Sequence, residues 1–225
     1  MSCPHCASAQ VVKNGQRNGK QSYLCCNCRR QFRENPELGY SAEVKALCVK
    51  MSLNGMGFRA IERVTGINHN SVINWVRQAA AAIADDNYQI PETAQLDELE
   101  TFVGKKKKIW LWTVVNTKSP GIVKFVVGDR SLATFQLLWQ VVAGWACFLY
   151  ITDGYKVYPC LIEDADHLVS KTAMTRVEGE NCRLRHYLAR LHRRTLCYSK
   201  SIEMLSASVR LLIYYLKHRR IPSFT

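Results

Sequence analysis

Three acidic residues in the second half of the chain stand where solvated charge is a poor explanation. Asp153 follows the apolar run Phe148-Leu149-Tyr150-Ile151 and precedes Gly154 in "FLYITDGYKVY". A carboxylate at the end of a buried strand is costly unless something pairs with it. Asp97 sits inside the strand-like "AQLDELETFVG", and Glu178 opens the helical "TRVEGENCRLRHYLARLHRRTL". Drawn to one point, the three would form an oxygen-ligand site for two Mg²⁺ (or Mn²⁺) ions, which neutralise them. Two such ions clamp the attacking and leaving oxygens of an in-line phosphoryl displacement. Each acid also has an ordinary reading. Asp-Gly is a common turn pair, and Glu at a helix start complements the dipole. Asp97 and Glu98 point to opposite faces of a strand, so only one of them can serve the site. Asp129, Glu163, Asp164 and Asp166 read as solvated loop charge.

The elements around these acids must do the positioning. "AQLDELETFVG", "IWLWTVVN" and "GIVKFVVGD" read as three strands able to pair antiparallel, with Lys105 to Lys108 as a basic turn between the first two. "LATFQLLWQVV" has helical spacing, "FLYITDG" is a fourth strand, "HLVSK" a short fifth, and a long helix follows over 175–196. That order is the order of a ribonuclease-H-like α/β fold, a mixed sheet flanked by helices. In it the first and fourth strands are neighbours and the long helix lies over them. Glu178, Asn181 and Arg185 fall at i, i+3 and i+7, one stripe of that helix. Arg183, Arg190, Arg193, Arg194 and Lys200 extend a basic surface, with Leu184, Leu188 and Leu191 on the buried side. Gly154 frees the backbone to turn away from the acids.

The N-terminal residues carry different chemistry. "CPHC" and "CCNC" give Cys3 and Cys6, then Cys25 and Cys28, a double C-x2-C pattern that supplies four thiolates to a structural zinc. The intervening "VVKNGQRNGKQSYL" reads as strand, Gly-rich turn, strand. Cys26 breaks the C-x2-C spacing, and His5 inside the first knuckle faces solvent. A module this small buries little, so metal would supply its folding energy. Next, Ser41 caps a helix with Val44, Leu47, Cys48 and Met51 on one face. In "GFRAIERVTGINHNSVINWVRQAAAA", Ile61 and Val64 face inward on a short helix, Gly66 ends it, and Asn68 caps a second helix carrying Val72, Ile73 and Val76. This is helix-turn-helix spacing, with the second helix as reader. His69, Asn70, Asn74 and Arg77 would project toward the groove, and Arg59 and Arg63 would meet phosphates. "ADDNYQIPETAQ" reads as a linker. The expected divisions are a zinc ribbon over 1–35, a helix-turn-helix domain over 36–84, a linker over 85–94 and a ribonuclease-H-like domain over 95–225.

Charge agrees with a nucleic-acid partner. The formal net charge is +13, and residues 171–220 hold 12 basic side chains against Glu178, Glu180 and Glu203. No stretch resembles a signal peptide or reaches membrane-span length. The expected setting is therefore cytoplasmic, with no membrane partner. The ten cysteines suit metal binding in a reducing compartment.

With "CPHC", "YLCCNC", "MGFRAIERVTGINHNSVINWV", "LDELETFVG", "GDRSLATF", "ITDGYKVY", "HLVSK" and "TRVEGENCRLRHYLARLHRRTLCYSKS" in view, the chain resembles the transposases of the insertion-sequence-one family over nearly all of its 225 residues. The resemblance implies a DDE catalytic domain whose acidic triad falls on Asp97, Asp153 and Glu178, with a helix arginine at Arg185. It implies a zinc ribbon and helix-turn-helix that bind the terminal inverted repeats of a mobile element. Many relatives join a DNA-binding and a catalytic frame by frameshifting; this chain runs continuously through residues 85–94. Only 25 residues separate Asp153 from Glu178, which leaves no room for an insertion domain. The expected activity is cleavage of element ends and strand transfer into target DNA by phosphoryl transfer without a covalent enzyme intermediate. Holding two ends together calls for at least a dimer. A structure-specific nuclease using the same acids, and a DNA-binding repressor with an inactive core, are the alternatives.

Overall fold

The computed structural model describes residues 1–17, 20–33, 40–84, 89–104 and 107–224. Asp85, Asp86 and Asn87 of the expected linker, and Lys105 and Lys106 of the expected basic turn, lie outside them. The described residues fall into two compact units, Met1–Ser41 and Ala42–Thr225.

The first unit is a three-stranded antiparallel sheet in the order β1-β2-β3, formed by β1 (Val11–Arg17), β2 (Lys20–Cys25) and β3 (Gln31–Arg33). Tyr23 stacks on Phe32 across the last pair. Among its described residues, Cys3, Tyr23 and Cys25 are the buried apolar ones, too few to sustain a core alone.

The second unit begins with α1 (Ala42–Ser52), α2 (Phe58–Thr65) and α3 (His69–Ala81). Gly66 ends α2 with a φ of +71°, a conformation a side chain would oppose, and its N–H bonds the Glu62 carbonyl. Asn68 caps α3 by accepting from the Asn70 N–H at 2.9 Å. Two residues expected to face inward do not: Leu47 is 52% and Val64 is 67% exposed. The buried face of α1 runs through Cys48, Val49 and Ser52 instead, rotated about the helix axis from Leu47. On α2, only Ile61 is buried.

A five-stranded mixed sheet follows, built from β4 (Thr93–Val103), β5 (Lys107–Asn116), β6 (Ile122–Gly128), β7 (Leu149–Thr152) and β8 (His167–Val169). Its order is β6-β5-β4-β7-β8. The first three strands pair antiparallel, and β7 lies parallel to both β4 and β8. This arrangement fits a ribonuclease-H-like domain. Helix α4 (Leu132–Val142) crosses one face, and α5 (Thr175–Tyr187) and α6 (Ile202–His218) lie on the other. Period-2 alternation on β4 and β5 sorts the two faces. Ala94, Leu96, Trp112 and Val114 pack with Phe135, Leu138 and Tyr158. Leu99, Leu111 and Val115 pack with Val177, Leu184 and Leu205 in a second core. That second core also takes in Val49, Leu53, Ile61, Val72 and Val76, so α1–α3 share an interior with the sheet and α6.

A further expectation is corrected. The helix expected over 175–196 stops at Tyr187. Leu188 turns extended (φ −107°, ψ 108°), and Ala189–Leu191 forms a single 3-10 turn. Leu188 and Leu191 are both 1% exposed, so they reach the core from this broken path rather than from a helix face. Asp129 is exposed in the loop before α4, as expected, and there it also accepts from the hydroxyls of Ser131 and Thr134 (2.6 Å for Thr134), which helps Ser131 close the start of α4.

Candidate active site

The register of β4 against β7 pairs Thr93 with Leu149, Ala94 with Tyr150 and Gln95 with Ile151. Asp97 lies two residues beyond the last of these pairs and Asp153 just past the end of β7, near enough that the charge of Asp153 bears on Asp97. Alternation then separates Asp97 from Glu98. Asp97 faces α5, where Asn181 Nδ2 donates to its Oδ2 at 2.8 Å. The amide is oriented from behind, because Thr113, the cross-strand partner of Asp97, donates its hydroxyl to Asn181 Oδ1 at 3.1 Å. Gln95, two residues before Asp97 on the same face, clamps the start of α5: its Nε2 donates to the Ala173 carbonyl at 2.6 Å, and its Oε1 accepts from the Val177 N–H at 2.9 Å. Glu178 follows Val177 and stands one turn before Asn181, on the stripe that meets Asp97. Its side chain is exposed, whereas Asp97 and Asp153 are half-buried.

Burial pushes the Asp97 carboxyl up to about 6, with the charges of Glu98 and Asp153 adding to the effect against the Asn181 bond. Asp153 Oδ1 accepts from the Tyr155 N–H at 2.9 Å. Gly154, between them, has a φ of +82°, and a Cβ there would come within 2.7 Å of Val169 Cγ1. The glycine is therefore required both by the turn and by β8 beside it. On the other face Glu98 is fully engaged. It pairs with Arg130, whose Nε donates at 2.9 Å, and accepts from the Tyr158 hydroxyl at 2.6 Å. Burial raises the Glu98 carboxyl, and burial first and then Glu98 hold the Tyr158 phenol well above its ordinary range. Arg130 in turn stacks over the Tyr155 ring at 3.9 Å, so this network braces the loop that carries Asp153.

The remaining residues expected at the site take varied positions. Arg185, on the Glu178 stripe, donates to two backbone carbonyls, Leu191 and Glu100, each at 3.1 Å, and burial lowers its pKa. Arg183 pairs with Glu180 one turn back at 2.8 Å. Arg190 does not lie on the surface: it is 7% exposed, stacked over Phe58 at 4.4 Å. The broken end of α5 turns it inward. Sequence reasoning missed Gln95 and Thr113, whose partners lie far along the chain. The one available signal was that Gln95 shares the facing of Asp97.

The residues from 92 to 219 match the family model described as IS1 transposase. That match covers more than half of the chain. The protein belongs to the IS1 transposase family. It is 34% identical over 112 residues to the insertion element IS1 protein InsB of Shigella flexneri, covering 49% of this chain and 86% of the relative. It is 33% identical over 112 residues to InsB of IS1 9 from Escherichia coli strain K12, covering 49% of this chain and 67% of the relative. Membership in the IS1 transposase family indicates a transposition function, that of an enzyme that cuts and transfers DNA.

In this family member a second cluster of ligating side chains lies in the first unit. Cys3, Cys6, Cys25 and Cys28 have Sγ atoms all within 4.8 Å of one another. Cys3 and Cys28, and Cys6 and Cys25, are each 3.6 Å apart, close to the sulfur–sulfur edge of about 3.8 Å of a tetrahedral zinc site with 2.3 Å bonds. The backbone N–H groups of His5 and Cys28 point at the Cys3 and Cys25 sulfurs. Cys26 and His5 stay outside the cluster; the His5 ring contacts Arg30. Among the described residues no other group of three or more Cys, His, Asp or Glu is gathered so closely, so the oxygens of Asp97, Asp153 and Glu178 are not drawn together at that spacing. On the helices, Asn70, Asn74 and Arg77 of α3 and Arg59 and Arg63 of α2 are exposed. His69 Nδ1 bonds Glu62 Oε2 at 2.7 Å and ties α3 to α2. Among the described residues no helix is long and apolar enough to cross a membrane.

Proposed function

We propose that this chain is a DDE transposase that binds the terminal inverted repeats of its element, cleaves the ends and joins them to target DNA. The observation that supports the reading is the parallel pairing of β4 with β7, the strand that Asp153 follows, together with the bond to Asp97 from Asn181 of the helix that bears Glu178. Asp97, Asp153 and Glu178 would hold divalent ions, Mg²⁺ or Mn²⁺. Their hard oxygen donors suit such ions, and the raised Asp97 carboxyl marks a negative charge in want of a cation. Bound there, the ions would stabilise the charge that develops on the phosphodiester oxygens. The chain's own residues supply the positioning. Asn181 and Thr113 fix the Asp97 carboxylate, Gln95 holds the start of α5, and Gly154 with the Arg130–Tyr155 stack shapes the Asp153 loop. Arg185, at the far end of the same stripe, faces the DNA backbone.

DNA recognition is assigned to the first 84 residues. Cys3, Cys6, Cys25 and Cys28 would hold zinc, which supplies the folding energy their small sheet lacks. α2 and α3 act as a helix-turn-helix: Asn70, Asn74 and Arg77 read the groove beside His69 at the start of α3, and Arg59 and Arg63 meet phosphates. Arg183 reaches DNA only by leaving Glu180. Two ends held together require at least a dimer. The test is end cleavage and joining on the flanking inverted repeats by the wild type and by Asp153→Ala. The variant is expected to bind the ends and to do neither reaction. Equal loss of binding and cleavage in a folded variant would count against the assignment, and cutting without joining by the wild type would indicate a nuclease.

A further inference from the structure

Thr152, the last residue of β7, is fully buried and immediately precedes Asp153. Its hydroxyl accepts from the Gly154 N–H at 3.2 Å, while Asp153 Oδ1 accepts from the Tyr155 N–H at 2.9 Å. Two side-chain bonds, each to the backbone two residues on, therefore interlock across Asp153. Behind them stands His167, the first residue of β8. Its Nε2 lies 2.7 Å from Thr152 Oγ1. The parallel register pairs Tyr150 with His167 and Thr152 with Val169, so alternation puts the imidazole on the face shared by Tyr150 and Thr152. Tyr150 packs there with Phe135 and Leu138 of α4. His167 thus reaches the Asp153 turn from the side of the sheet opposite α5.

An imidazole is suited to this place. The Thr152 hydroxyl gives a lone pair to Gly154, and its own proton needs an acceptor, since a buried polar group left unpaired is costly. Burial lowers the His167 pKa against the pull of Asp164, which favours the neutral ring. With its proton on Nδ1, that ring offers the Nε2 lone pair to the hydroxyl. We propose that His167 is a positioning residue for Asp153: acting through Thr152, it fixes the turn that presents the Asp153 carboxylate to a divalent ion. The assignment rests on the reading of Asp153 as a metal ligand given above. β8 then steadies the turn at two points, with His167 behind Thr152 and Val169 behind Gly154. A group that holds a ligand from behind contributes to metal affinity without touching the ion.

The experiment measures Mn²⁺ binding to the full chain without DNA, from the paramagnetic resonance signal of the free ion. The binding that Asp153→Ala removes is the binding scored. His167→Ala and Thr152→Val are each expected to weaken it about tenfold. Together they are expected to weaken it no further than either alone, because both remove the same bond. His167→Gln, whose amide oxygen can accept from the hydroxyl, is expected to recover most of the affinity. Thermal melting checks that each variant folds. Thr152→Val, close to threonine in shape, carries the comparison should His167→Ala not fold. Wild-type affinity in either folded variant, losses that add in the double variant, or a folded His167→Gln as weak as His167→Ala overturns the positioning role and leaves Asp153 a ligand. Mn²⁺ binding that Asp153→Ala leaves unchanged overturns both.

Discussion

Replacing Asp97 by asparagine is expected to stabilise the chain while abolishing its chemistry. Burial, with the charges of Glu98 and Asp153, holds the Asp97 carboxyl at about 6 against an ordinary 3.8. That difference corresponds to about 3 kcal/mol of destabilisation when the group is ionised. The sign follows from proton uptake. The folded chain keeps this proton to a higher pH than the unfolded chain, so the penalty is absent below about pH 4. It grows as the pH rises and is complete above about pH 6 to 7. Asp97→Asn carries no charge and still offers Asn181 an oxygen to donate to. Urea denaturation in EDTA at pH 7.5 should show the variant's midpoint higher by about 1 M, taking a slope of about 3 kcal/mol per molar. The gain should close toward pH 4. Added Mg²⁺ should raise the wild-type midpoint and leave the variant unchanged. A variant less stable than wild type at pH 7.5, or a gain that persists undiminished at pH 4, would refute the reasoning.

Gly154→Ala is expected to cost about 1–3 kcal/mol, since it forces a side chain to a φ of +82° with its Cβ 2.7 Å from Val169 Cγ1. Val169→Ala in the same chain should recover the part due to the clash, read by thermal melting. Cys28→Ser should lose bound zinc, measured by elemental mass spectrometry, and with it the sheet of the first unit; unchanged zinc content would contradict the ligand set.

Much of this architecture was legible because it follows local period. α4 keeps its expected bounds, since Ser131 caps it and Phe135, Leu138 and Val142 repeat on one face. The opposite facing of Asp97 and Glu98 follows from strand alternation alone, and the cores on the two sides of β4 agree with it. The site itself is less legible. That Asp97 comes near Asp153 depends on a parallel register between strands 56 residues apart in sequence, which no local pattern encodes. Thr113 and Gln95 were invisible for the same reason. The end of α5 misled: Leu184, Leu188 and Leu191 keep helical spacing, yet the last two enter the core from an extended residue and a 3-10 turn. Arg190 moves inward with them, so a residue read as surface charge became a buried cation over Phe58. Leu47 and Val64 show the converse, apolar residues at plausible spacing left facing solvent.

Ferrous iron substituted for magnesium, with ascorbate and peroxide, cuts a polypeptide beside the residues that hold the ion. For the full-length chain, the account predicts three clusters of cuts, around Asp97, Asp153 and Glu178, suppressed by excess Mg²⁺ and lost together in Asp153→Ala. Cuts confined to one of those segments, or indifferent to Mg²⁺, would contradict it.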